Sequence, residues 1–197
     1  AAFSGGHSPI ILGGDHSVAF GAVRAAAERY PSLGVLHFDA HADLRPSYEG
    51  FTYSHASIFH NLITRLDSLG PILQVGLRDF GEGEHEEIKA RPEKLRAVFD
   101  SDWSRARLEG RDLAAYVRDS LCFLPETVWI SFDIDGLDPS LCPGTGTPVP
   151  GGLTWAEAML WLEELKASGR RVIGCDLVEV APSPSLRGGD SWDAIVG

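Results

Sequence analysis

Long apolar runs are missing from this sequence. The longest, such as Ile10-Ile11-Leu12, span a few residues, against the ~20 that a membrane helix needs. No basic segment followed by an apolar stretch opens the chain, so nothing points to secretion. Cysteine is scarce: Cys122, Cys142 and Cys175 include no CxxC pair and are odd in number. That usage fits a reducing cytosol better than a disulfide scaffold, and the expected location is cytoplasmic. Positive charge is also short, with Lys+Arg 17 against Asp+Glu 28 and a net charge of −11. The balance disfavours nucleic acid or an anionic membrane as partner, and its sign suits a small cationic substrate. There is no Pro- or Ser-rich linker and no internal repeat. What remains is 197 residues, 44% hydrophobic, the profile of one compact domain over residues 1–197. The chain opens on Ala1 and stops at Gly197, just after Trp192, Ala194, Ile195 and Val196. Both ends read as cut, so the domain is expected to be incomplete at each terminus.

Short apolar runs alternate with longer helical patterns. Strands are expected at Pro9–Leu12, Gly34–Asp39, Ile72–Gly76, Leu95–Phe99, Val128–Asp133 and Arg171–Leu177, and helices near Val18–Arg29, Ala56–Leu66, Leu113–Leu121 and Trp155–Ala167. Strand-then-helix alternation with buried-looking strands implies an α/β fold, a parallel sheet covered on both faces. In such sheets the chemistry lies beyond the carboxyl ends of the strands. Five polar segments fall there: GGDHS at 13–17, DAHADLR at 39–45, GLRD at 76–79, DIDGLDPS at 133–140 and VEVAP at 178–182.

Asp39, His41 and Asp43 alternate with Ala40 and Ala42. On an extended strand end, alternate residues point the same way, so three ligand-type side chains converge. Asp133 and Asp135 repeat the device around Ile134, and His16 follows a Gly-Gly turn. A lone aspartate at a strand end is usually a helix cap or a turn former. Two alternating clusters and a histidine are poorly explained that way. Burying several carboxylates together is prohibitive without a counter-charge, which divalent cations supply. The six candidate ligands are His16, His41, Asp39, Asp43, Asp133 and Asp135, too many for one structural zinc and suited to a pair of ions. Oxygen-dominated ligation without thiolate favours Mn²⁺ over Zn²⁺.

GGDHS, DAHADLR, SFDIDGLDPS, GTGTPVPGGLT and VEVAP occur in the order seen in the ureohydrolase (arginase/agmatinase) family, which the sequence resembles from about residue 9 to about residue 196. The resemblance implies a three-layer α/β/α sandwich on a mostly parallel eight-stranded sheet with a binuclear manganese centre, two Mn²⁺ per chain. It also implies further elements on both sides of the resembling segment. Residue by residue, it makes His16 and Asp43 ligands of one manganese and His41 and Asp135 ligands of the other, with Asp39 and Asp133 bridging. Paired metal ions activate water for attack on a guanidinium carbon, and Asp43 matches the residue that also contacts this nucleophile. His55, in YSHAS at 53–57, matches the family's proton shuttle, a task suited to imidazole. Glu179, in VEVAP, matches the carboxylate that grips the guanidinium.

The implied activity is cleavage of a guanidino compound to urea and an amine. The departures from arginase favour agmatine, giving putrescine: Gly81 stands where arginases carry an aspartate after GLRD, which here ends at Asp79, and Arg45 stands where they carry an asparagine. Arginase, guanidinobutyrase and formimidoylglutamase are alternatives within the family. A catalytically silent regulatory or assembly subunit and a single-zinc deacetylase of similar fold are alternatives outside that chemistry. Family members commonly form homo-oligomers, trimers or hexamers. Of the other histidines, His37 reads as a satisfied core residue, His60 and His85 as exposed, and His7 is uninformative. GTGTP at 144–148 reads as a glycine-rich loop shaping the pocket, with Thr147 contacting substrate or ligands through its backbone. Trp103, Trp129, Trp155, Trp161 and Trp192 read as core or interface.

Overall fold

A computed structural model describes residues 3–182. Six strands form one sheet: β1 (Ile10–Leu12), β2 (Leu33–Phe38), β3 (Leu69–Leu77), β4 (Leu95–Phe99), β5 (Thr127–Asp133) and β6 (Arg171–Val178). Their order is β1-β6-β5-β2-β3-β4, and every neighbouring pair is parallel. Of the eight strands that the resemblance implies, six lie among the described residues. The apolar stretch at 192–196 lies outside them, as does Trp192.

Among the described residues, six α-helices cover the two faces. On one side are α1 (Ala19–Arg29), α2 (Ile58–Arg65) and α3 (Glu82–Ala90). Val23, Ala26, Phe59, Leu62 and Ile88 pack there against Val35, Ile72, Trp129 and Ile173. On the other side are α4 (Asp100–Leu108), α5 (Leu113–Leu121) and α6 (Trp155–Ala167). Trp103, Val117, Leu121, Trp161 and Leu165 meet Leu36, Phe38, Leu73, Val75 and Val98. Every residue of β2 is buried, as expected of a central parallel strand whose successive side chains feed opposite cores. This is the three-layer α/β/α arrangement. None of the helices among the described residues is long and apolar enough to cross a membrane.

Two helices go beyond the expectation, α3 and α4. Each buries only two side chains, Glu84 and Ile88 in α3, Trp103 and Ala106 in α4, too few to mark a helical stripe. α5 and α6 announce themselves better. Asp112 accepts the Ala115 amide, and Thr154 and Glu157 form a reciprocal capping box. Trp103, Trp129 and Trp161 are core residues, whereas Trp155 is 48% exposed.

Two glycines let the strand ends crowd around Asp39. A Cβ on Gly136 would sit 2.8 Å from the Asp39 amide nitrogen, and Gly76 adopts φ +98° with the Asp39 carbonyl oxygen 3.1 Å from where its Cβ would be. β3, β2 and the turn after β5 therefore converge as closely as backbones allow.

Candidate metal centre

The carboxyl ends of β2 and β5, with the turn after β1, bring all six sequence-identified ligand candidates together. Asp39 and Asp133 leave the ends of β2 and β5. Asp135 lies in the short turn Ile134–Gly136, and His16 opens the turn His16–Val18 ahead of α1. His16 Nδ1 faces three carboxylate oxygens: Asp43 Oδ2 at 3.1 Å, Asp39 Oδ2 at 3.3 Å and Asp133 Oδ2 at 3.4 Å. His41 Nδ1 faces Asp135 Oδ2 at 3.0 Å and Asp39 Oδ1 at 3.3 Å. Asp39 is thus approached from both sides, one oxygen by each imidazole. His16, Asp39, Asp43, Asp133 and Asp135 are buried, and His41 is partly exposed.

The backbone fixes these side chains. Asp133 Oδ1 accepts the Asp135 amide at 2.9 Å, Asp135 Oδ1 accepts the Ala40 amide at 2.9 Å, and Asp39 Oδ1 accepts the His41 amide at 2.6 Å. Asp43 stands in the left-handed region at φ 52°, as does Glu179 at φ 63°. A non-glycine residue there costs roughly 1–2 kcal/mol, and such strain concentrates at sites that need a particular side-chain direction.

A second tier of buried polar residues lies beneath the cluster. Trp129 Nε1 donates to Asp176 Oδ2 at 2.6 Å, and Ser131 Oγ donates to Asp176 Oδ1 at 2.8 Å. With its proton so used, Ser131 Oγ accepts from His16 Nε2, 2.8 Å away. That leaves His16 Nδ1 as the free position of the ring, and it has no hydrogen-bond partner. An unpartnered, buried imidazole nitrogen facing three carboxylates is an environment that could hold a cation. Ser131 and Asp176 were not singled out from sequence. Their signal is a lone polar residue inside an otherwise apolar strand, as in TVWISFD and RVIGCDLV.

The electrostatics agree. Burial, then the charge of Asp39, pushes the Asp43 carboxyl up to about 7, and the same causes raise Asp133 well above and Asp135 above the usual range. Burial works against charge on His41, but the carboxylates of Asp135 and Asp39 outweigh it and carry that imidazole to about 11. Asp39 is buried too, yet the facing rings of His37, His16 and His41 hold it well below the ordinary carboxylate value. Divalent cations at the cluster would relieve the repulsion that these shifts record.

Above the cluster opens a cavity of about 490 Å³. His41, Asp43, Asp133 and Asp135 form its floor, and Asp15, Arg45, Tyr48, Glu49, His55, Asp79, Glu84, Thr147 and Glu179 contribute to its wall. Both His55 and Glu179 therefore line the same space as the ligand candidates. Glu179 Oε1 accepts the His16 amide at 2.8 Å, and burial raises the carboxyl despite that contact. Among the described residues, Arg45 is the one Lys or Arg that lines the cavity. Its guanidinium lies 5.2 Å from the Tyr48 ring centroid, with Nε 3.6 Å from Glu84 Oε2, and Tyr48 meets His55 edge-on at 5.5 Å.

Other expectations need adjustment. Thr147 approaches the ligand set through its hydroxyl, 3.5 Å from Asp135 Oδ2. His60 and His85 are half-buried instead of exposed. His85 packs between Phe80 and Phe99, and neither histidine lines the cavity. Glu84, missed from sequence, joins two loops of the wall: Oε1 accepts the Leu44 amide at 3.0 Å and Oε2 the Gly81 amide at 2.8 Å. Arg78 of GLRD is not among the residues lining the cavity and binds the carbonyls of Gly76, Asp135, Leu137 and Val149, tying the loop after β5 to β3.

A parallel α/β/α sheet that gathers two imidazoles and four carboxylates at its carboxyl end, under an acidic cavity, defines a class of fold able to hold metal for hydrolysis. The profile of the Arginase family matches residues 1–193, and the chain belongs to that family. It is 39% identical over 174 residues to an N(1)-aminopropylagmatine ureohydrolase of Thermus thermophilus, covering 88% of this chain and 55% of the relative. It is 36% identical over 184 residues to the guanidinobutyrase of Pseudomonas aeruginosa, covering 93% and 56%. The arginase structure from Bacillus subtilis superposes with a TM-score of 0.81 at 29% identity, covering 99% of this chain and 71% of that one. The relatives so named are hydrolases. The chain spans about half the length of the curated relatives it matches.

Proposed function

We propose that this chain carries the catalytic centre of a manganese-dependent ureohydrolase whose substrate is a guanidino compound with a cationic far end, agmatine first among them. The observation that carries the reading is the His16 Nδ1 position, unpartnered and facing Asp39, Asp43 and Asp133, beside a second imidazole, His41, that shares Asp39. His16, Asp39, Asp43 and Asp133 would hold one ion, and His41, Asp39, Asp133 and Asp135 the other. When bound, the pair supplies Lewis acidity and an activated water at neutral pH.

The protein's own groups do the rest. Glu179, with Oε1 fixed on the His16 amide, keeps its other oxygen for the guanidinium, a charge-assisted contact. That cation offsets the cost of burying the carboxylate. His55, on the same wall, delivers a proton to the departing amine, and its contact with Tyr48 sets the plane of its ring. The lining also carries the carboxylates of Glu49 and Asp79, which suit an ammonium, whereas both oxygens of Glu84 already accept backbone amides. Arg45 is already matched by Glu84 and Tyr48.

Arg45 also carries the one competing reading. As the only Lys or Arg lining the cavity among the described residues, it could leave Glu84 for the carboxylate of 4-guanidinobutyrate or arginine. Urea release by the purified, manganese-loaded protein from agmatine, 4-guanidinobutyrate and arginine tests the proposal. Manganese-dependent urea from agmatine supports it, and preference for a carboxylate-ended substrate moves the assignment to the Arg45 reading. A protein that binds manganese but releases urea from none of these compounds, nor from N(1)-aminopropylagmatine or other guanidino compounds, overturns the ureohydrolase function.

A further inference from the structure

We propose that His37 is a positioning residue that clamps Asp39, the carboxylate shared by both halves of the cluster, and that Gln74 sets the tautomer which makes the clamp work. The inference rests on the metal reading of the cluster and goes beyond it. By distance alone His37 qualifies as a ligand: a ring nitrogen lies within 4.8 Å of ligand atoms from His16, Asp39 and Asp43. By burial alone it is a core side chain, fully enclosed on β2 with the Phe59 ring centroid 4.0 Å away. The hydrogen bonds support neither role.

Gln74 Nε2 lies 2.7 Å from the Ala42 carbonyl oxygen. A carbonyl oxygen can only accept, so the atom facing it must be the amide nitrogen. The same nitrogen stands 3.0 Å from His37 Nδ1 and, as a donor, requires Nδ1 to be the acceptor. The imidazole proton is therefore on Nε2, which lies 2.8 Å from Asp39 Oδ2 and donates to it. Both ring nitrogens are committed, and no lone pair is left for a metal. The arrangement leaves Gln74 Oε1 buried without a hydrogen-bond partner, so the two donations to His37 and Ala42 are met at the expense of the acceptor. The fold makes the contact by register. His37 and Asp39 are alternate residues sharing one direction, and His37 is the cross-strand partner of Gln74 on β3. Gln74 also holds Ala42, the residue before Asp43, so one amide steadies two members of the cluster.

Manganese titrated into metal-free native protein, His37→Leu, His37→Gln and Gln74→Leu, read by calorimetry for affinity and stoichiometry, tests this, with near-UV circular dichroism reporting the fold. A glutamine at 37 can still donate to Asp39 but is a poor metal ligand. The expected result is unchanged stoichiometry throughout, affinity at least ~10-fold weaker for His37→Leu and Gln74→Leu, and affinity within a few-fold of native for His37→Gln. Loss of one equivalent in both His37 variants would make His37 a ligand and overturn the proposal. Native affinity in His37→Leu would make it a passive core residue and overturn it equally. If His37→Leu does not fold, the contrast between Gln74→Leu and His37→Gln decides, and equal affinities sink the clamp. Failure of the metal reading itself appears separately, as native protein that binds no manganese.

Discussion

His16 turns Nδ1 to within 3.1 Å of Asp43 Oδ2, yet no hydrogen bond joins them. With Nε2 given to Ser131, a neutral His16 meets Asp43 lone pair to lone pair, which is repulsive unless a positive charge intervenes. Either a proton on Nδ1 or a metal ion can supply it. Burial opposes the proton, but Asp133, Asp39 and Asp43 favour it and raise the imidazole well above its ordinary value.

Metal-free protein should therefore lose stability as pH rises from about 5 to about 8. Asp43 is pushed up to about 7. A carboxyl raised on folding binds more protons in the folded state, so stability falls as pH climbs from the unfolded value near 4 through the folded one. His16 and His41 are raised bases, whose contribution is full below about 6.5 and declines above it. The lowered Asp39 acts in the opposite sense, but its loss belongs to more acid solution. Thermal melts of chelator-stripped protein should show Tm several degrees lower at pH 8 than at pH 5.5, with manganese restoring more at the higher pH. A metal-free Tm that rises over this range contradicts the electrostatics described.

The shared positions should matter most for metal content. Asp133→Ala removes a carboxylate assigned to both ions and should strip more manganese than His16→Ala or His41→Ala, each of which takes one ligand from one ion. Elemental analysis after gel filtration gives the count. Two manganese per chain retained by Asp133→Ala would end the bridging assignment.

His55 lines the cavity and takes part in none of the imidazole–carboxylate contacts of His16 and His41. His55→Asn should keep its full manganese content and turn over about 10²-fold more slowly, the scale of lost proton-transfer help. If metal content falls with rate, His55 is a ligand and its role as proton donor is wrong.

The acidic cluster was legible in the sequence because its ligand-type residues crowd into two short segments after apolar runs, but the extended alternation expected of them does not hold: Asp43 stands at φ 52° and Asp135 lies in the turn Ile134–Gly136. The six described strands were legible as short apolar runs, and four helices as longer patterned ones. α3 and α4 were hidden because each turns mostly polar residues to solvent and anchors by two side chains. The polar tier was hidden for another reason. Gln74, His37, Ser131 and Asp176 form one row across β3, β2, β5 and β6, and register between strands is long-range information that no window of sequence contains. His37 was read as a satisfied core histidine. It is satisfied, but what satisfies it is Asp39 and Gln74, visible only once β2 and β3 are paired.

On the proposed reading, substrate choice would turn on the end of the molecule remote from the guanidinium. Agmatine and arginine share the guanidinium and the alkyl spacer, so both would engage Glu179 and the metal cluster alike, and they differ by one carboxylate. With Gly81 in the loop after GLRD, the α-amino group of arginine lacks a side-chain carboxylate at that position, a charge-assisted contact of roughly 1.5–3 kcal/mol. The added carboxylate would also enter a cavity whose lining includes the carboxylates of Glu49, Asp79 and Glu84. Among the described residues, Arg45 is the one Lys or Arg lining the cavity that could compensate, and to do so it must leave Glu84 Oε2, 3.6 Å from its Nε, and the Tyr48 ring. Removing it from a buried carboxylate costs part of what the new pair would return. The expected outcome is kcat/KM for agmatine at least ~10-fold above that for arginine, the ratio that ~1.4 kcal/mol of discrimination yields. Arg45→Ala separates the contributions. If Arg45 is held by Glu84 and Tyr48, the variant keeps that ratio within about 3-fold, a margin of under ~1 kcal/mol. If Arg45 instead receives the carboxylate, arginine turnover collapses in the variant while agmatine turnover persists, and equal or better urea release from arginine by the native protein would overturn the agmatine assignment outright.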